Sequence, residues 1–215
     1  MSNKSNATWH PWILIIANAL AIILMASWWF EPTRSLWLAL DAQAFWAMNN
    51  SLAWGATWQK LWAIANNRAF DLAAAVFMLG LFAYRALISD RGRLNYYIAM
   101  GIMLFVVLVI AMQVGKAIPI ERPSATAEFP EALGLTQLVP EIPTKDYSGD
   151  SFPADHGLVL LICAGFALYY LPPAYGVLAI IFAVFFTLPR LMSGAQWLTD
   201  EIVGAMAIAS VFLSW

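Results

Sequence analysis

Charged side chains are scarce in this sequence. Asp, Glu, Lys and Arg together make up 11% of its 215 residues, whereas an ordinary soluble domain carries about 25%. The net charge is only −2, and no basic block is longer than the Arg-Gly-Arg tripeptide at 91–93. This composition excludes a typical soluble domain, and it offers no basic surface that would indicate a nucleic-acid partner.

Cysteine pairs and clusters of metal ligands are also missing from the sequence. Cys163 is the single cysteine, so a disulfide within the chain is excluded, and its position inside an apolar run favours a packing role. No group of His, Cys, Asp and Glu has the spacing of a metal site. We therefore expect a protein that uses no metal ion and no other cofactor.

Hydrophobic residues, by contrast, make up 62% of the chain. A helix needs about 20 consecutive apolar residues to cross the hydrocarbon layer of a bilayer, and several runs approach that length. We therefore predict an all-α integral membrane protein, with residues 1–215 as a single domain and six transmembrane helices. The predicted helices run from Pro11 to Trp29, Ala69 to Leu87, Tyr96 to Gly115, His156 to Leu171, Gly176 to Met192 and Trp197 to Trp215.

The segment from Phe30 to Arg68 is rich in Trp and Ala, with scattered polar residues. This composition is typical of helices that lie at a membrane interface. Tryptophan suits this location because its ring combines an apolar body with a polar N–H group. The expected interfacial anchors are Trp37, Trp46, Trp54, Trp58 and Trp62.

Basic residues favour one orientation in the membrane. Arg85, Arg91 and Arg93 flank the second loop, which favours a cytoplasmic location for that loop and for both termini. Seven of the other eight Lys and Arg residues lie on the opposite side, all except Lys4, so this bias is weak. With six spans, the segment Lys116–Asp155 and the turn Arg190–Trp197 must lie together on the opposite face.

Polar residues are concentrated in these two segments. They are Lys116 and Arg122 in KAIPIERP, Asp155 and His156 in SFPADHG, and Arg190, Gln196 and Asp200 in PRLMSGAQWLTD. Ionisable residues at membrane depth are costly, and they usually line a site or a pathway. One Lys and two Arg side chains suit a phosphate, because guanidinium forks and an ammonium group neutralise its oxygens. We therefore expect phosphoryl chemistry on this face.

Each of these residues also has a purely structural interpretation. Lys116 suits a helix end, where its side chain reaches toward the lipid headgroups, and Arg122 suits a surface loop. Gln196 and Asp200 are four residues apart, so on one helix they share a face and can hydrogen-bond to each other. His156 suits an interfacial position with satisfied hydrogen bonds. The phosphate hypothesis therefore requires these residues to converge.

The same motifs resemble the three signatures of the type 2 phosphatidic acid phosphatase superfamily of integral membrane enzymes. The resemblance rests on Lys116, Arg122-Pro123, Pro153 to His156, Arg190, Gly194, Gln196-Trp197, Asp200 and Gly204. It implies phosphate binding by Lys116, Arg122 and Arg190. It also implies that His156 protonates the leaving group, that position 196 holds the nucleophile, and that Asp200 orients this nucleophile.

Position 196 departs from the pattern, because it holds Gln where the superfamily has its nucleophilic histidine. An imidazole nitrogen has a free lone pair near neutral pH, whereas the amide nitrogen of Gln shares its lone pair with the carbonyl group. We therefore expect the chain with Gln196 to be nearly inactive. A deliberate substitution and a natural loss of activity both explain the difference, and the persistence of the other signature residues favours the first.

Two longer stretches resemble one branch of this superfamily, the lipid A phosphotransferases. They are NNRAFD at 66–71 and PTKDYSGDSFPADHG at 143–157, and they contain the candidate substrate-binding residues Asn67, Arg68, Lys145 and Asp155. Enzymes of this branch move a phosphate from undecaprenyl pyrophosphate to lipid A 1-phosphate through a phosphohistidine.

The resemblance implies a multi-pass protein of the bacterial inner membrane with an active site that faces the periplasm. Its partners would be undecaprenyl pyrophosphate, lipid A and membrane lipids. Two alternatives stay open. A phosphatase of undecaprenyl pyrophosphate or of another lipid phosphate would use the same site with water as the acceptor. A non-catalytic membrane protein that binds phosphorylated lipids would also be consistent with Gln196.

Overall fold

The helices of the computed structural model follow the apolar runs of the sequence. The structure describes residues 11–215, and all regular structure in this range is helical. The α-helices are α1 (Pro11–Trp29), α2 (Thr33–Asn49), α3 (Ala56–Ala65), α4 (Arg68–Tyr84), α5 (Leu94–Ala117), α6 (Ala125–Glu128), α7 (Leu135–Leu138), α8 (Asp155–Tyr170), α9 (Pro173–Met192) and α10 (Met206–Ser214). The 3₁₀ segments Asn50–Trp54 and Arg91–Arg93 adjoin α2 and α5, and the π turns Arg85–Ser89 and Asp200–Ala205 adjoin α4 and α10.

Within residues 11–215, four helical stretches are long and apolar enough to cross a membrane. They are Pro11–Trp29, Arg68–Ser89, Arg91–Ala117 and Pro173–Met192. Large apolar side chains on their outer surfaces, such as Ile22, Leu72 and Phe105, remain mostly exposed. Contact of these surfaces with water would cost roughly 25 cal/mol per Å², so lipid is their natural solvent. The structure thus confirms the predicted all-α fold, with four helices that are suitable as membrane spans.

The other two predicted spans form shorter helices. α8 has 16 residues, and at about 1.5 Å per residue it is shorter than a hydrocarbon core of about 30 Å. The last predicted span begins with the π turn Asp200–Ala205 and continues as α10. α8 packs on α5, α9 and α10, and α10 also packs on α1, so both lie against inner faces of the bundle. The number of six spans stays a prediction.

Glycines let α8 approach its neighbours closely. A Cβ atom on Gly176 of α9 would lie 2.5 Å from the Cα atom of Leu168 in α8, so the two backbones nearly touch there. Such contacts are typical of membrane helices, which associate through van der Waals packing rather than through the hydrophobic effect. The short connection between α8 and α9 makes them antiparallel. The start of α8, with His156, therefore lies beside the end of α9, with Arg190.

A cap of short helices covers this end of the bundle. It consists of α2, α3 and the segment 118–154, which contains α6 and α7. Phe45 of α2 stacks on Phe129 of this segment, with ring centroids 5.6 Å apart. Leu52 and Leu135 are fully buried within the cap. The cap therefore has an apolar core of its own.

The tryptophans predicted as interfacial anchors divide into two groups. Trp46, Trp58 and Trp62 are partly buried in the core of the cap, and the Trp37 indole N–H donates to Ser27 Oγ of α1 at 3.0 Å. Trp54, in contrast, is 75% exposed. Packing within the protein thus explains the positions of four of these rings. Of the five, Trp54 is the one exposed enough to act as an interfacial anchor.

The cap also brings the two polar segments together. The indole N–H of Trp197 donates to the Pro123 carbonyl at 2.8 Å, and the amide of Ala154 donates to the Asp200 carbonyl at 3.1 Å. The loop that precedes α8 and the turn that follows α9 therefore lie side by side. The candidate site residues are all at this capped end.

Candidate active site

Arg190 is held in the site by two side chains from the α3–α4 region. It occupies the last turn of α9 and is only 5% exposed. Its Nη1 donates to Asn66 Oδ1 at 2.9 Å, and its Nη2 pairs with Oδ2 of Asp71. A buried cation needs such partners, because an unpaired charge away from water is strongly destabilising. The direction of the guanidinium group is therefore fixed.

His156 shares the Asp71 carboxylate with Arg190. Its Nδ1 atom lies 3.8 Å from Asp71 Oδ1, while Oδ2 of the same carboxylate pairs with Arg190. His156 is the second residue of α8, and its backbone amide donates to Oδ1 of the preceding Asp155 at 2.7 Å. Helices α4, α8 and α9 thus each contribute one side chain to a single charged group.

A cavity of about 460 Å³, the larger cavity, lies against this group. Its walls are formed by Arg68, Asp71, Met112, Lys145, Asp155, His156, Val159 and Arg190. Three cations and a histidine therefore face one space, an arrangement that suits phosphate oxygens. Of the four candidate substrate-binding residues, Arg68, Lys145 and Asp155 line this cavity.

A second cavity of about 210 Å³, the smaller cavity, adjoins the larger one. The residues shared by both walls are Met112, Lys145 and Asp155. The remaining wall is formed by Gly115, Lys116, Ser148, Asp150, Ser151, Phe152, Pro153, Leu158, Ala195 and Gln196. Lys116 and Gln196 thus face the smaller cavity, whereas His156 and Arg190 face the larger one.

The loop that carries Lys145 is fastened to the α3–α4 junction. Asn66 Nδ2 donates to the Lys145 carbonyl at 2.7 Å, and Asn67 Nδ2 donates to the Pro143 carbonyl at 2.8 Å. Asn67 also caps α4, because its Oδ1 accepts the amide of Ala69 at 2.8 Å. Asn67, the remaining candidate substrate-binding residue, lines neither cavity and holds the loop in place instead.

A tight turn after α9 brings Gln196 back to Arg190. The amides of Ala195 and Gln196 donate to the Arg190 carbonyl at 3.0 and 3.3 Å. Gly194 permits this turn, since its φ is +73° and a Cβ there would lie 2.6 Å from the Phe45 ring. Gln196 is 6% exposed, and its Oε1 has no hydrogen-bond partner within residues 11–215.

Arg122 belongs to a separate, buried network. Its guanidinium donates to Thr199 Oγ1 at 2.7 Å, to Asp200 Oδ1 at 3.0 Å and to Asp41 Oδ2 at 2.6 Å. It is 7% exposed and lies over the Trp197 ring, 4.5 Å from the centroid. Two carboxylates surround this one cation, and it lines neither cavity. Arg122 therefore joins the cap to the turn after α9.

Asp200 lies in the same network and is fully buried. Its Oδ1 accepts from Arg122, and its Oδ2 accepts the backbone amide of Trp197 at 2.8 Å. Both carboxylate oxygens are thus engaged. The hydrogen bond from Gln196 that the four-residue spacing allows is absent from the described part of the chain, because Gln196 lies in the turn rather than on the helix of Asp200.

Asn66, Asp71 and Asp41 are contributors that the sequence did not single out as site residues. Asp71 carried a recognisable signal, because it is a carboxylate in the first turn of an apolar span, where charges usually have partners. Asp41 is likewise an isolated acid within the tryptophan-rich segment. The sequence contained no indication of which arginine each of these acids would meet.

Comparison with known proteins identifies a relative along almost the whole chain. The sequence is 36% identical over 207 residues to lipid A 1-diphosphate synthase from Escherichia coli (strain K12), which covers 94% of this chain and 85% of that protein. No family model matches the chain, and no solved structure matches it. Identity of this extent reflects common descent, and the chain therefore belongs to the lipid A 1-diphosphate synthase family.

Proposed function

We propose that this protein is a phosphotransferase of the bacterial inner membrane, with a site that faces the periplasm. The site takes a phosphate from undecaprenyl pyrophosphate and passes it to lipid A 1-phosphate, and a histidine at position 196 carries the phosphate between them. The form with Gln196 binds the lipids without transferring phosphate. The observation that carries the proposal is that position 196 and His156 line two adjoining cavities with shared cationic walls.

The arrangement of the two cavities suits in-line displacement at phosphorus. Phosphoryl transfer requires the attacking and leaving atoms to lie on opposite sides of the transferred group. Position 196 faces the smaller cavity and His156 the larger one, so a phosphate between them has the attacker on one side and the proton donor on the other. Lys145 lines both cavities, and Lys116 and Arg190 supply positive charge at either end.

With histidine at position 196, the proposed reaction has two steps. The imidazole attacks the terminal phosphorus of undecaprenyl pyrophosphate, the P–O bond to undecaprenyl phosphate breaks, and His156 donates a proton to the leaving oxygen. A phosphate oxygen of lipid A 1-phosphate then attacks the phosphohistidine. The P–N bond breaks, the imidazole is restored, and His156 takes up the proton of the acceptor.

Gln196 blocks the first step and leaves binding intact. Its amide nitrogen has no free lone pair, so no covalent intermediate forms. The cations at the cavity walls do not depend on this side chain, since Arg190 is held by Asn66 and Asp71. A glutamine also approximates the size and polarity of histidine, so the shape of the smaller cavity is retained.

An apolar groove beside the smaller cavity suits the prenyl chain of the donor. It lies between α1, α5 and α10, has a volume of about 450 Å³, and is lined by side chains that include Met25, Val114, Ile118 and Ile208. Gly115, in the wall of the smaller cavity, borders this groove, because a Cβ there would lie 3.7 Å from Ile208. A lipid with its phosphate in the cavity can therefore keep its chain out of water, which favours binding.

The destination of the phosphate tests the proposal. Gln196→His protein in detergent is incubated with undecaprenyl pyrophosphate that carries ³²P in its terminal phosphate, with and without lipid A 1-phosphate. We expect the label on lipid A when the acceptor is present and on the protein when it is absent. Release of inorganic phosphate regardless of the acceptor would instead indicate a phosphatase.

Two further measurements complete this test. Gln196→Ala is the matched control, because it removes the amide without supplying a nucleophile, and we expect no transfer. Calorimetry with the unaltered chain compares farnesyl pyrophosphate with inorganic pyrophosphate, and the prenyl compound should bind more tightly. Equal affinity for the two would contradict a lipid substrate, and absence of binding would contradict the lipid-binding role of the Gln196 form.

A further inference from the structure

We propose that Asp71 is a positioning residue that fixes the direction of Arg190 and favours the protonated form of His156. The inference rests on the proposed phosphotransferase function, because that function makes His156 the proton donor. Asp71 lies outside the three superfamily signatures. Helix α4 brings it to the site from a position 119 residues before Arg190 in the chain.

The two oxygens of Asp71 have different partners. Oδ2 pairs with Arg190, and Oδ1 lies 3.8 Å from Nδ1 of His156. The Asp71 side chain is 33% exposed, against 6% for that of Arg190, so the carboxylate forms part of the open wall of the larger cavity. One carboxylate therefore connects the phosphate-binding arginine to the proton donor.

Helix α4 places Asp71 at its N-terminal end. Asp71 lies in the first turn of this helix, and Asn67 caps the helix through the amide of Ala69. The N-terminal end of a helix carries a partial positive charge, which favours a negative side chain there. The start of α4 therefore suits a carboxylate that faces Arg190 and His156.

Charges of both signs surround His156. The acids are Asp71 of α4 and Asp155 of α8, the cations that share the larger cavity are Arg68, Lys145 and Arg190, and Glu201 packs against the adjacent Gly157. Three cations oppose a further positive charge on the imidazole, so without a nearby carboxylate His156 would lose its proton more readily. Asp71 lies beside both His156 and Arg190, and it offsets the charge of that arginine.

The pairing with Asp71 leaves Arg190 able to bind phosphate. A guanidinium group has five N–H donors, and Asn66 and Asp71 engage one each, so three remain for a ligand. Because both partners restrain the group, these donors keep a constant direction relative to His156. Such alignment lowers the barrier when a bond at phosphorus breaks and a proton must arrive at the leaving oxygen.

Histidine titration tests the inference without any turnover. The chain has two histidines, His10 and His156, so NMR of protein with ¹⁵N-labelled histidine gives one pair of ring-nitrogen signals for each, and His10 serves as an internal reference. In Asp71→Asn, we expect His156 to lose its proton at a pH about one unit lower than in the parent, because an opposite charge has been removed. Asp150→Asn removes the same charge from the smaller cavity and is the matched control, with no shift expected.

Binding and turnover separate positioning from a merely structural role. In the Gln196 form, Asp71→Asn should change the affinity for farnesyl pyrophosphate by less than about threefold, because it removes one of two restraints on Arg190 and also a negative charge from the cavity wall. In the Gln196→His form, the same variant should lower the single-turnover rate about tenfold, while KM for undecaprenyl pyrophosphate changes by less than about twofold. Asp71→Glu keeps the charge and should restore part of the rate.

An unchanged titration of His156 in Asp71→Asn would overturn the inference. So would a parallel loss of binding and rate that Asp71→Glu does not relieve. If Asp71→Asn fails to fold, Asp71→Glu provides the test. Its carboxylate is kept but displaced, so the titration of His156 should stay near that of the parent while the single-turnover rate falls. A rate equal to that of the parent would overturn the inference. If Gln196→His without any other substitution transfers no phosphate, the proposed function is wrong. The titration of His156 would still test the role of Asp71.

Discussion

Arg190 and Arg122, the two arginines expected to bind phosphate, occupy contrasting environments. Arg190 pairs with one carboxylate, Asp71, which is 33% exposed, and it lines the larger cavity. Arg122 pairs with Asp41 and Asp200, whose side chains are at most 1% exposed, and it lines neither cavity. The first arginine donates two hydrogen bonds and lines a cavity, whereas the second donates three within a buried network.

This difference shows that burial alone does not distinguish an arginine that lines a cavity from one that is held in a buried network. Arg190 and Arg122 are 5% and 7% exposed, which is nearly the same. The distinction lies in the number of carboxylates around each cation. Two carboxylates around Arg122 leave a local negative balance that would repel a phosphate. The walls of the larger cavity instead carry three cations, Arg68, Lys145 and Arg190, against the two carboxylates of Asp71 and Asp155, which is a positive balance.

The largest expected effect concerns position 196. Gln196→His should raise phosphoryl transfer from undecaprenyl pyrophosphate by a factor on the order of 10³ or more, because it restores the nucleophile. Single-turnover transfer in detergent measures this factor, and the labelled protein should lose its phosphate in acid, as a P–N bond does once protonated. Equal activity of the two forms would show that position 196 is not the nucleophile.

The next effect concerns Arg122, the arginine in the buried network. Arg122→Met should destabilise the fold by about 3–5 kcal/mol, because it leaves Asp41 and Asp200 buried without their cation. Unfolding in detergent measures this, with Arg34→Met as control. Arg34 is exposed and lies 5.4 Å from the Trp28 ring centroid, so its loss should cost no more than about 1 kcal/mol.

If Arg122→Met were as stable as Arg34→Met, Arg122 would not be needed to balance its two buried carboxylates. A second contrary result would be loss of affinity for farnesyl pyrophosphate in the same variant. That result would assign phosphate binding to Arg122 despite its two carboxylates.

A smaller effect is expected at the cavity arginine. Arg190→Lys should weaken binding of farnesyl pyrophosphate about tenfold although the charge is kept, because an ammonium cannot reproduce the paired donors of a guanidinium. Calorimetry on the Gln196 form measures the affinity without turnover. Arg122→Lys is the matched substitution, and its folded fraction should bind like the parent. Unchanged affinity in Arg190→Lys would indicate a structural role for both arginines.

The smallest effect is expected at Lys116. This lysine is exposed and lines only the smaller cavity, whereas Lys145 lines both. Lys116→Ala should therefore weaken binding of farnesyl pyrophosphate by only about two- to fivefold, as for an exposed ion pair, and the loss should diminish with added salt. A greater loss for Lys116→Ala than for Lys145→Ala would contradict the placement of the phosphate between the two cavities.

The long membrane helices could be predicted because their signal is local. The predicted span from Pro11 to Trp29 coincides with α1, and the predicted start at Gly176 lies within one turn of the start of α9 at Pro173. Apolar length can be counted along a segment without reference to any other segment. α8 was harder to judge, since a helix enclosed by other helices is apolar whether or not it spans the bilayer.

The site could be predicted in part. His156 and Arg190 meet, as their motifs and the order of the spans suggested, and Lys145 joins them from a loop that the sequence also indicated. The contact of Asn67 with the Lys145 loop was not predictable, because its partner is the backbone carbonyl of Pro143. A backbone carbonyl is present at every residue, so the sequence cannot indicate which one the side chain binds.

By itself, the sequence determined that the chain is helical and lies in a membrane, and which polar side chains are available at one end of it. These properties follow from hydropathy and from the chemistry of each residue, and both belong to single segments. Only the tertiary structure decided which carboxylate meets which arginine. Asp41 reaches Arg122 across 81 residues and Asp71 reaches Arg190 across 119. Pairing over such distances depends on how the cap and α4 pack, and this packing made one arginine part of a cavity and the other part of the core.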